Sequence, residues 1–547
     1  MKRRTFLKSC FVGISAAGIS GVLNDAAAMK KVSRAKRPNV LFILADDMGY
    51  SDAGCYGGDI DTPNLDFLAE NGLRYSQHYS TGRCWPSRAC VLTGYYPQQC
   101  RRDSMRGIRK GNRPKWAPLL PEMLKPYGYK SYHSGKWHID GAPESTGFDR
   151  SWGNKESGRL CDDDRYFNSK IWHEDKLSAP VKEGQPYYST VAIADHTIAC
   201  LKLHKKNTPD KPFFQYTAFY SPHFPLQAIQ KDIDKYRDAY LDGWDVVRKR
   251  RLKRMKDIGL VNCGLSERQT DVIPPWNLPG KKLKERIGSG EEPKAVAWDS
   301  LTEKQKRFQA TKMAIHAAMI HRMDAEIGRI IKQLKEMGEF ENTLIMFASD
   351  NGASAEQIIR GDGHDKDAAY GSAKSYLCLG PGWSTAANTP FKLHKHWNHE
   401  GGISSPLIAH WPKGIKEKGK IRDDVSHFID IAPTVLHIAS GRAVVNNYKT
   451  ENAPKRPGIS LLDSMTAGKS VEHDHLWWCH QGNRAIRVGD WKLCSRYRKR
   501  SKFSKWELYN LKNDRCEMNN LVEKHPEIVT KLKNRWEKTA KHFREHL

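Results

Sequence analysis

Asn39-Val40-Leu41-Phe42-Ile43-Leu44-Ala45-Asp46-Asp47 is the stretch from which the fold can be read. Asn39 to Leu44 is a continuous apolar run, the pattern of a strand buried on both faces. Strands of that kind belong to the parallel sheets of α/β proteins, where ligands gather at the carboxyl ends. This one ends in Asp46 and Asp47, and two adjacent carboxylates there are costly unless a cation or donors receive them. One reading is a hard-cation site built from carboxylate oxygen. The other is an ordinary acidic turn. The pattern recurs: Thr343-Leu344-Ile345-Met346-Phe347-Ala348 is a second buried strand, and it ends in Ser349-Asp350-Asn351-Gly352. Two oxygen ligands again follow a strand, and Gly352 permits a tight turn.

Between these strands lies Cys84-Trp85-Pro86-Ser87-Arg88, continued by Ala89-Cys90-Val91-Leu92-Thr93-Gly94. Pro86 suits the first position of a helix, which Ala89 to Leu92 can propagate. Cys84 then sits at a helix N-terminus, where backbone N–H groups favour anions. Arg88, one turn on, can point back to the same place. Such a cysteine is either a candidate nucleophile or a buried structural residue.

Cys84-x-Pro86-Ser87-Arg88 with Leu92-Thr93-Gly94 resembles the signature of the type I, formylglycine-dependent sulfatases, arylsulfatase-like members of the alkaline phosphatase superfamily. The family usually has a small residue where this chain has Trp85, and often arginine where it has Tyr95. The other family motifs follow in order: Asp46-Asp47, Gly135-Lys136-Trp137-His138, Pro222-His223, Asp350-Asn351, and a lysine five residues before Glu400-Gly401-Gly402. That register selects Lys395 rather than Lys392. The family's Leu-Gly after the histidine is replaced by Ile139-Asp140-Gly141.

The resemblance implies an α/β fold: a large mixed sheet sandwiched by helices, with a small C-terminal antiparallel sheet plus helix. It implies a metal site of Asp46, Asp47, Cys84, Asp350 and Asn351 holding one Ca²⁺. It also implies that Cys84 is oxidised to formylglycine (3-oxoalanine) by a formylglycine-generating or anaerobic sulfatase-maturating enzyme. The hydrated aldehyde attacks sulfur, steadied by Arg88. Lys136, Lys395 and His223 surround the sulfate, and His138 takes the proton that expels it. From the residues alone, Lys136 and His138 at i and i+2 on an extended segment share one side. His223, between Pro222 and Pro225, has a fixed backbone suited to proton transfer. His394, His396 and His399 match no family motif and read as supporting or surface residues.

The 547 residues suffice for one large α/β domain and a smaller one. The expected division is a twin-arginine-like signal peptide over 1–28, a catalytic domain over 37–457 with an insertion at 226–300, and a C-terminal α+β subdomain over 458–547. Arg3-Arg4-Thr5-Phe6-Leu7-Lys8 precedes a weakly apolar run too short to span a bilayer, then Ala26-Ala27-Ala28. The chain therefore reads as periplasmic or secreted, with no stable membrane span. The formal charge of +28 favours acidic partners or a solvated basic surface. The basic run Arg248–Lys256 reads as a helix with a solvated face that could attract a polyanionic substrate, and export argues against nucleic acid. The 12 cysteines are too few for a disulfide scaffold and their spacing identifies no pairs. The leading reading is hydrolysis of a sulfate ester, on a sulfated small molecule or glycan. The alternatives are a phosphodiester or phosphonate hydrolase of the same superfamily and a non-catalytic binder of sulfated glycan.

Overall fold

The apolar run does form the central strand. In the computed structural model β1 spans Asn39–Ala45, entirely buried. The described residues are 37–153, 166–167, 187–361, 363–443, 453–497 and 505–546. The expected leader at 1–28 and the acidic run Asp162-Asp163-Asp164 lie outside them.

The main sheet contains, in chain order, β1, β2 (Leu73–Tyr79), β3 (Lys130–Gly135), β4 (Arg150–Trp152), β5 (Phe213–Ala218), β6 (Thr343–Ser349), β7 (Ser404–His410), β8 (Lys420–Arg422) and β9 (Ser426–His427). Its order is β4-β3-β5-β1-β6-β7-β2-β8, with β9 also on β2. The run from β4 to β6 is parallel, so its carboxyl ends share one edge. β7 is antiparallel to both β6 and β2, which makes the sheet mixed.

Alternation along the strands divides the core. Leu41, Ile43, Ile345 and Phe347 face one apolar cluster, and Val40, Phe42, Leu44, Leu344 and Met346 face the other. Helix Glu303–Glu336 covers the first face with Ile315, Met319, Met323, Ile327, Ile330 and Leu334. Thr302 and Gln305 close its first turn with a capping box, which satisfies two otherwise orphaned N–H groups. Its Met-rich stripe, at helical spacing, is core.

A second sheet of β10 (Leu476–His480), β11 (Asn483–Val488), β12 (Trp491–Ser495) and β13 (Glu507–Asn510) is antiparallel throughout. Helix Pro526–Glu545 packs on it through Trp536, Ala540 and Phe543. Leu476, Trp477 and Leu493 belong to the same apolar cluster as Val40 and Phe42, so the two sheets share a core.

The basic run differs from its expected form. It lies on helix Gly243–Asp257, but Arg248 and Arg251 are buried. Arg251 pairs with Asp52 and Asp59, both at 2.7 Å, and Asp52 also meets His316 at 3.1 Å. Arg254 donates to the Gly58 carbonyl. Arg250, Arg251 and Arg254 therefore bolt the helix to the loop after β1, Arg248 donates to Ser266, and Lys249, Lys253 and Lys256 face water.

Candidate active site

Asp46, Asp47, Lys136, His223, Asp350 and Asn351 all follow strand ends. β1 pairs with β6 so that Ala45 lies level with Ser349, which puts Asp46 and Asp47 beside Asp350 and Asn351. β5 and β3 follow on the other side of β1. They deliver Ser221-Pro222-His223 and Lys136 to the same edge. Backbone bonds fix the ends: Asp46 N–H donates to the Ser221 carbonyl, Asp350 N–H to Ala45, and Lys136 N–H to Ala218. Asp47 and His138 adopt left-handed backbone, with φ of 65° and 56°. Strain of roughly 1–3 kcal/mol per such residue persists where surrounding structure holds it, commonly at functional sites. His138 is thus not on extended chain, contrary to the i, i+2 reading. Lys136 and His138 leave β3 across a bend.

The helix at Cys84 begins two residues earlier than expected from Pro86. It spans Cys84–Thr93, with Arg83 at its cap, so Cys84 is itself in the first turn. Arg88, wholly buried, donates to Asp350 Oδ2 through Nε at 3.0 Å and Nη2 at 2.7 Å, and lies 3.6 Å from Asp46. Lys136 Nζ lies 2.6 Å from Asp46 Oδ2. Lys395 Nζ lies 2.7 Å from Asp47 Oδ1 and 3.4 Å from Glu356. Asn351 donates to Asp47 Oδ1 at 2.7 Å. His223 Nε2 is 3.7 Å from Asp47, and its Nδ1 meets the Phe224 carbonyl at 2.6 Å, which fixes the proton on Nδ1. Lys392 lies elsewhere, against Glu507 and Tyr509 of β13, whereas Lys395 is the lysine beside Asp47.

The donor set fits a cation. Asp46, Cys84 and Asp350 bring one ligand atom each within 4.8 Å of one another, and so do Asp46, Asp47 and His223. Both oxygens of Asp46 and Oδ1 of Asn351 are buried without an aligned hydrogen bond; Lys136 and Arg88 meet Asp46 only as ion pairs. Burial and the neighbouring carboxylates push Asp47 up, against the pull of Lys395. Burial and Asp46 push Asp350 up to about 7, despite Arg88. Asp46 goes down: burial opposes ionisation, but the charges of Lys136 and Arg88 outweigh it. Crowded, dry carboxylates with unshared lone pairs suit a hard divalent ion.

Other groups are tuned by burial as well. It pushes the Cys84 thiol up, with Lys136 and Lys395 opposing. It drives His138 and His223 well below the usual histidine range, helped by Lys136 in the first and Lys395 in the second. Both rings are therefore neutral at pH 7.

The chain's pattern gave no sign of Glu356. Its buried carboxylate accepts from Arg83 at 3.1 Å, Trp276 Nε1 at 2.7 Å and Ser354 at 3.1 Å, and faces Lys395. It sits six residues beyond Asp350 in a loop with no periodicity, and its partners come from three distant segments. The three histidines around Lys395 are all buried, which removes the surface reading. His394 bonds Ser384, His396 packs on Trp276, and His399 meets Glu507. Close contact explains the glycines beside them: a Cβ on Gly352 would stand 1.9 Å from the Gly401 carbonyl.

Sequence comparison agrees with this geometry. The family described as Sulfatase matches residues 38–441. An uncharacterised sulfatase of Schizosaccharomyces pombe is 32% identical over 93% of this chain and 94% of its own length. An arylsulfatase of Klebsiella aerogenes is 32% identical over 82% of this chain and 95% of its own. An N-acetylglucosamine-6-O-sulfatase of Bacteroides thetaiotaomicron is 26% identical over 99% and 94%. Among solved structures, a protein in complex with k-i-k-neocarrahexaose superposes with a TM-score of 0.61 at 22% identity, over 92% of each chain. One bound to D-glucosamine-2-N,6-O-disulfate gives 0.59 at 20% identity, over 93% of this chain and 99% of its own. With the family profile spanning β1 through β9 and all the strand ends that converge here, the chain belongs to the sulfatase family and is a sulfuric ester hydrolase.

Proposed function

We propose that this enzyme hydrolyses a sulfate ester on a sulfated carbohydrate, with a nucleophile made from Cys84 beside one divalent cation. The observation that carries the reading is the buried cluster in which Cys84 meets Asp46 and Asp350 among Arg88, Lys136 and Lys395. An oxygen-rich set selects a hard cation, and we assign Ca²⁺ to Asp46, Asp47, Asp350, Asn351 and the side chain at 84. When bound, the ion neutralises charge on the sulfate oxygens and the nucleophile.

The thiol itself is a poor fit to the task. Burial keeps it protonated, and a thiol is a weak nucleophile. Oxidation to formylglycine by a maturating enzyme supplies instead a hydrated aldehyde, whose second hydroxyl spares water from attacking sulfur. The remaining work falls to side chains already in position. Lys136 and Lys395 are buried cations close enough to influence Cys84, donors for the sulfate oxygens. His223 holds its Nδ1 proton against the Phe224 carbonyl, so Nε2 is the atom that must first take up a proton before it can give one to the leaving oxygen. His138, neutral in its buried setting, can accept the proton whose loss expels sulfate. Arg88 holds Asp350 through two donors and so fixes the floor of the site.

The rim supports an anionic sugar. Lys110, exposed, lies 4.5 Å from the ring centre of half-buried Trp85, which packs on His138. Arg83 lies 5.4 Å from the ring centres of both Trp85 and Trp276. Indole surface suits a sugar face, and the cations suit further sulfate or carboxylate groups. The relatives named for N-acetylglucosamine-6-O-sulfatase activity and for arylsulfatase activity point the same way. We place the enzyme in the periplasm or outside the cell, on the leader at 1–28. No described helix is long and apolar enough to cross a membrane.

The test is release of inorganic sulfate from sulfated N-acetylglucosamine and from an aryl sulfate, beside phenol release from the matched aryl phosphate diester. The reading expects sulfate release to dominate and to vanish in Cys84→Ala with the fold intact. Faster phosphorus-ester cleavage, or near-normal turnover in Cys84→Ala, would overturn it.

A further inference from the structure

Two cysteines far from the nucleophile lie against each other. Cys263 follows helix Gly243–Asp257, and Cys516 follows β13 of the second sheet. Both are buried in the same apolar cluster and both are free thiols. The Cys516 thiol donates to the carbonyl of Gly264, the residue next to Cys263, at 2.8 Å. Cys516 therefore lies beside Cys263, close enough for each sulfur to influence the ionisation of the other. Two residues beyond Cys516 the contact continues: the Glu267 N–H donates to Met518 Sδ at 3.3 Å. The segments 263–267 and 516–518 therefore run alongside each other.

We propose that Cys263 and Cys516 form a disulfide that ties the chain after helix Gly243–Asp257 to the C-terminal sheet. The oxidant is a dithiol-oxidising disulfide, small or protein-borne, such as oxidising compartments supply. Cys263 loses its proton and attacks one sulfur of that disulfide, releasing one thiolate and forming a mixed disulfide. Cys516 loses its proton and attacks the Cys263 sulfur, releasing the second thiolate. Two thiols are oxidised, two electrons and two protons pass to the oxidant, and no further reactant is needed. Cys263 is the better attacker of the pair: the neighbouring Cys516, with the nearby Arg515 charge, favours its thiolate. Both sulfurs are buried, so the bond closes during folding or on local opening.

The tie has a place in the site. From Cys263 the chain runs on to Trp276, which donates to Glu356, and Asn277, which donates to the Ala355 carbonyl. On the other side, Glu517 accepts from the backbone of Glu400 and pairs with Lys492 at 2.8 Å. The cross-link thus anchors the stretch that carries Trp276 to the part of the second sheet that holds the loop after Lys395. It stands independently of the reaction proposed above.

The full chain is equilibrated with a mixture of oxidised and reduced glutathione, its remaining thiols are alkylated, and it is digested without reductant. The expected product is one peptide pair joining Cys263 to Cys516, lighter by two hydrogens than the separate peptides and parted by reduction. Reduction should lower the melting temperature of the wild type by roughly 3–6 °C and leave the Cys263→Ser/Cys516→Ser double variant unmoved. Alkylated thiol at both positions in the wild type, or either cysteine joined to a different one, overturns the proposal. The peptide result stands even where the double variant does not fold.

Discussion

Replacing Glu356 by glutamine should cost both stability and activity, although no part of the motif set contains it. The substitution keeps the shape and one carbonyl acceptor, so the bond from Trp276 at 2.7 Å can survive. The negative charge is lost. Arg83 loses its carboxylate at 3.1 Å, and Lys395 keeps only Asp47. The side chains of Glu356 and Lys395 are 2% and 1% exposed, so water does little to replace the attraction. Removing one partner of a buried pair costs about 3–5 kcal/mol, and an isosteric amide that retains its neutral bonds should cost about 2–3 kcal/mol. Urea denaturation reads that as a lower midpoint at unchanged slope. Burial alone would depress Lys395, and Asp47 and Glu356 together hold it above its ordinary value. Without Glu356 the ammonium is less firmly held and less firmly charged. A loss of kcat/KM of ~10–100-fold follows, equivalent to about 1.4–2.7 kcal/mol of transition-state stabilisation. A variant within about 0.5 kcal/mol of wild type in stability, with unchanged kcat/KM, would refute the reasoning.

Three further outcomes follow from the same electrostatics. Burial, with the charges of Lys136 and Arg88, keeps His138 well below 6.5, so kcat should stay level as pH falls through 6.5; an acid limb at or above 6.5 removed by His138→Gln would contradict a neutral base. His78, His133 and His394 are each driven by burial to about 3, so unfolding takes up protons below 6.5. Stability is complete above that pH and falls by about 1.4 kcal/mol per unit per histidine until about pH 3, and urea midpoints flat from pH 7 to 5 would refute it. A strong chelator should abolish turnover and lower the melting temperature, with Ca²⁺ restoring both; at 100-fold excess over its Kd the ion stabilises by about 2.7 kcal/mol. Full activity after exhaustive chelation would remove the cation from the site.

The strands that carry the chemistry were legible because each is a short, unbroken apolar run ending in a chemical group. β1 and β6 announce Asp46, Asp47, Asp350 and Asn351 by local pattern alone, and parallel pairing brings the four together. Helix Glu303–Glu336 was legible for a similar reason, its stripe being long and regular. β2 was not, since Leu73-Arg74-Tyr75-Ser76-Gln77-His78-Tyr79 mixes polar residues into a strand whose partners lie hundreds of residues away. The helix start at Cys84 was misplaced because Pro86 is tolerated anywhere in the first turn, where its missing N–H is not needed. The bend at His138 left no trace in sequence, because left-handed backbone at a non-glycine residue is imposed by its surroundings. Burial of Arg248 and Arg251 inside a run of nine mostly basic residues was equally hidden, as the acids that receive Arg251 lie near β1. Glu356 shows the general limit: a loop carboxylate acquires its role only from long-range partners.

The most direct measurement is the mass of the tryptic peptide Cys84–Arg88, released after Arg83, from protein purified out of its native host and shown to release sulfate. A Cys84-derived nucleophile requires aldehyde or its hydrate in place of the thiol. An unmodified thiol throughout an actively hydrolysing preparation would contradict it, and the chemistry would have to be sought in another side chain.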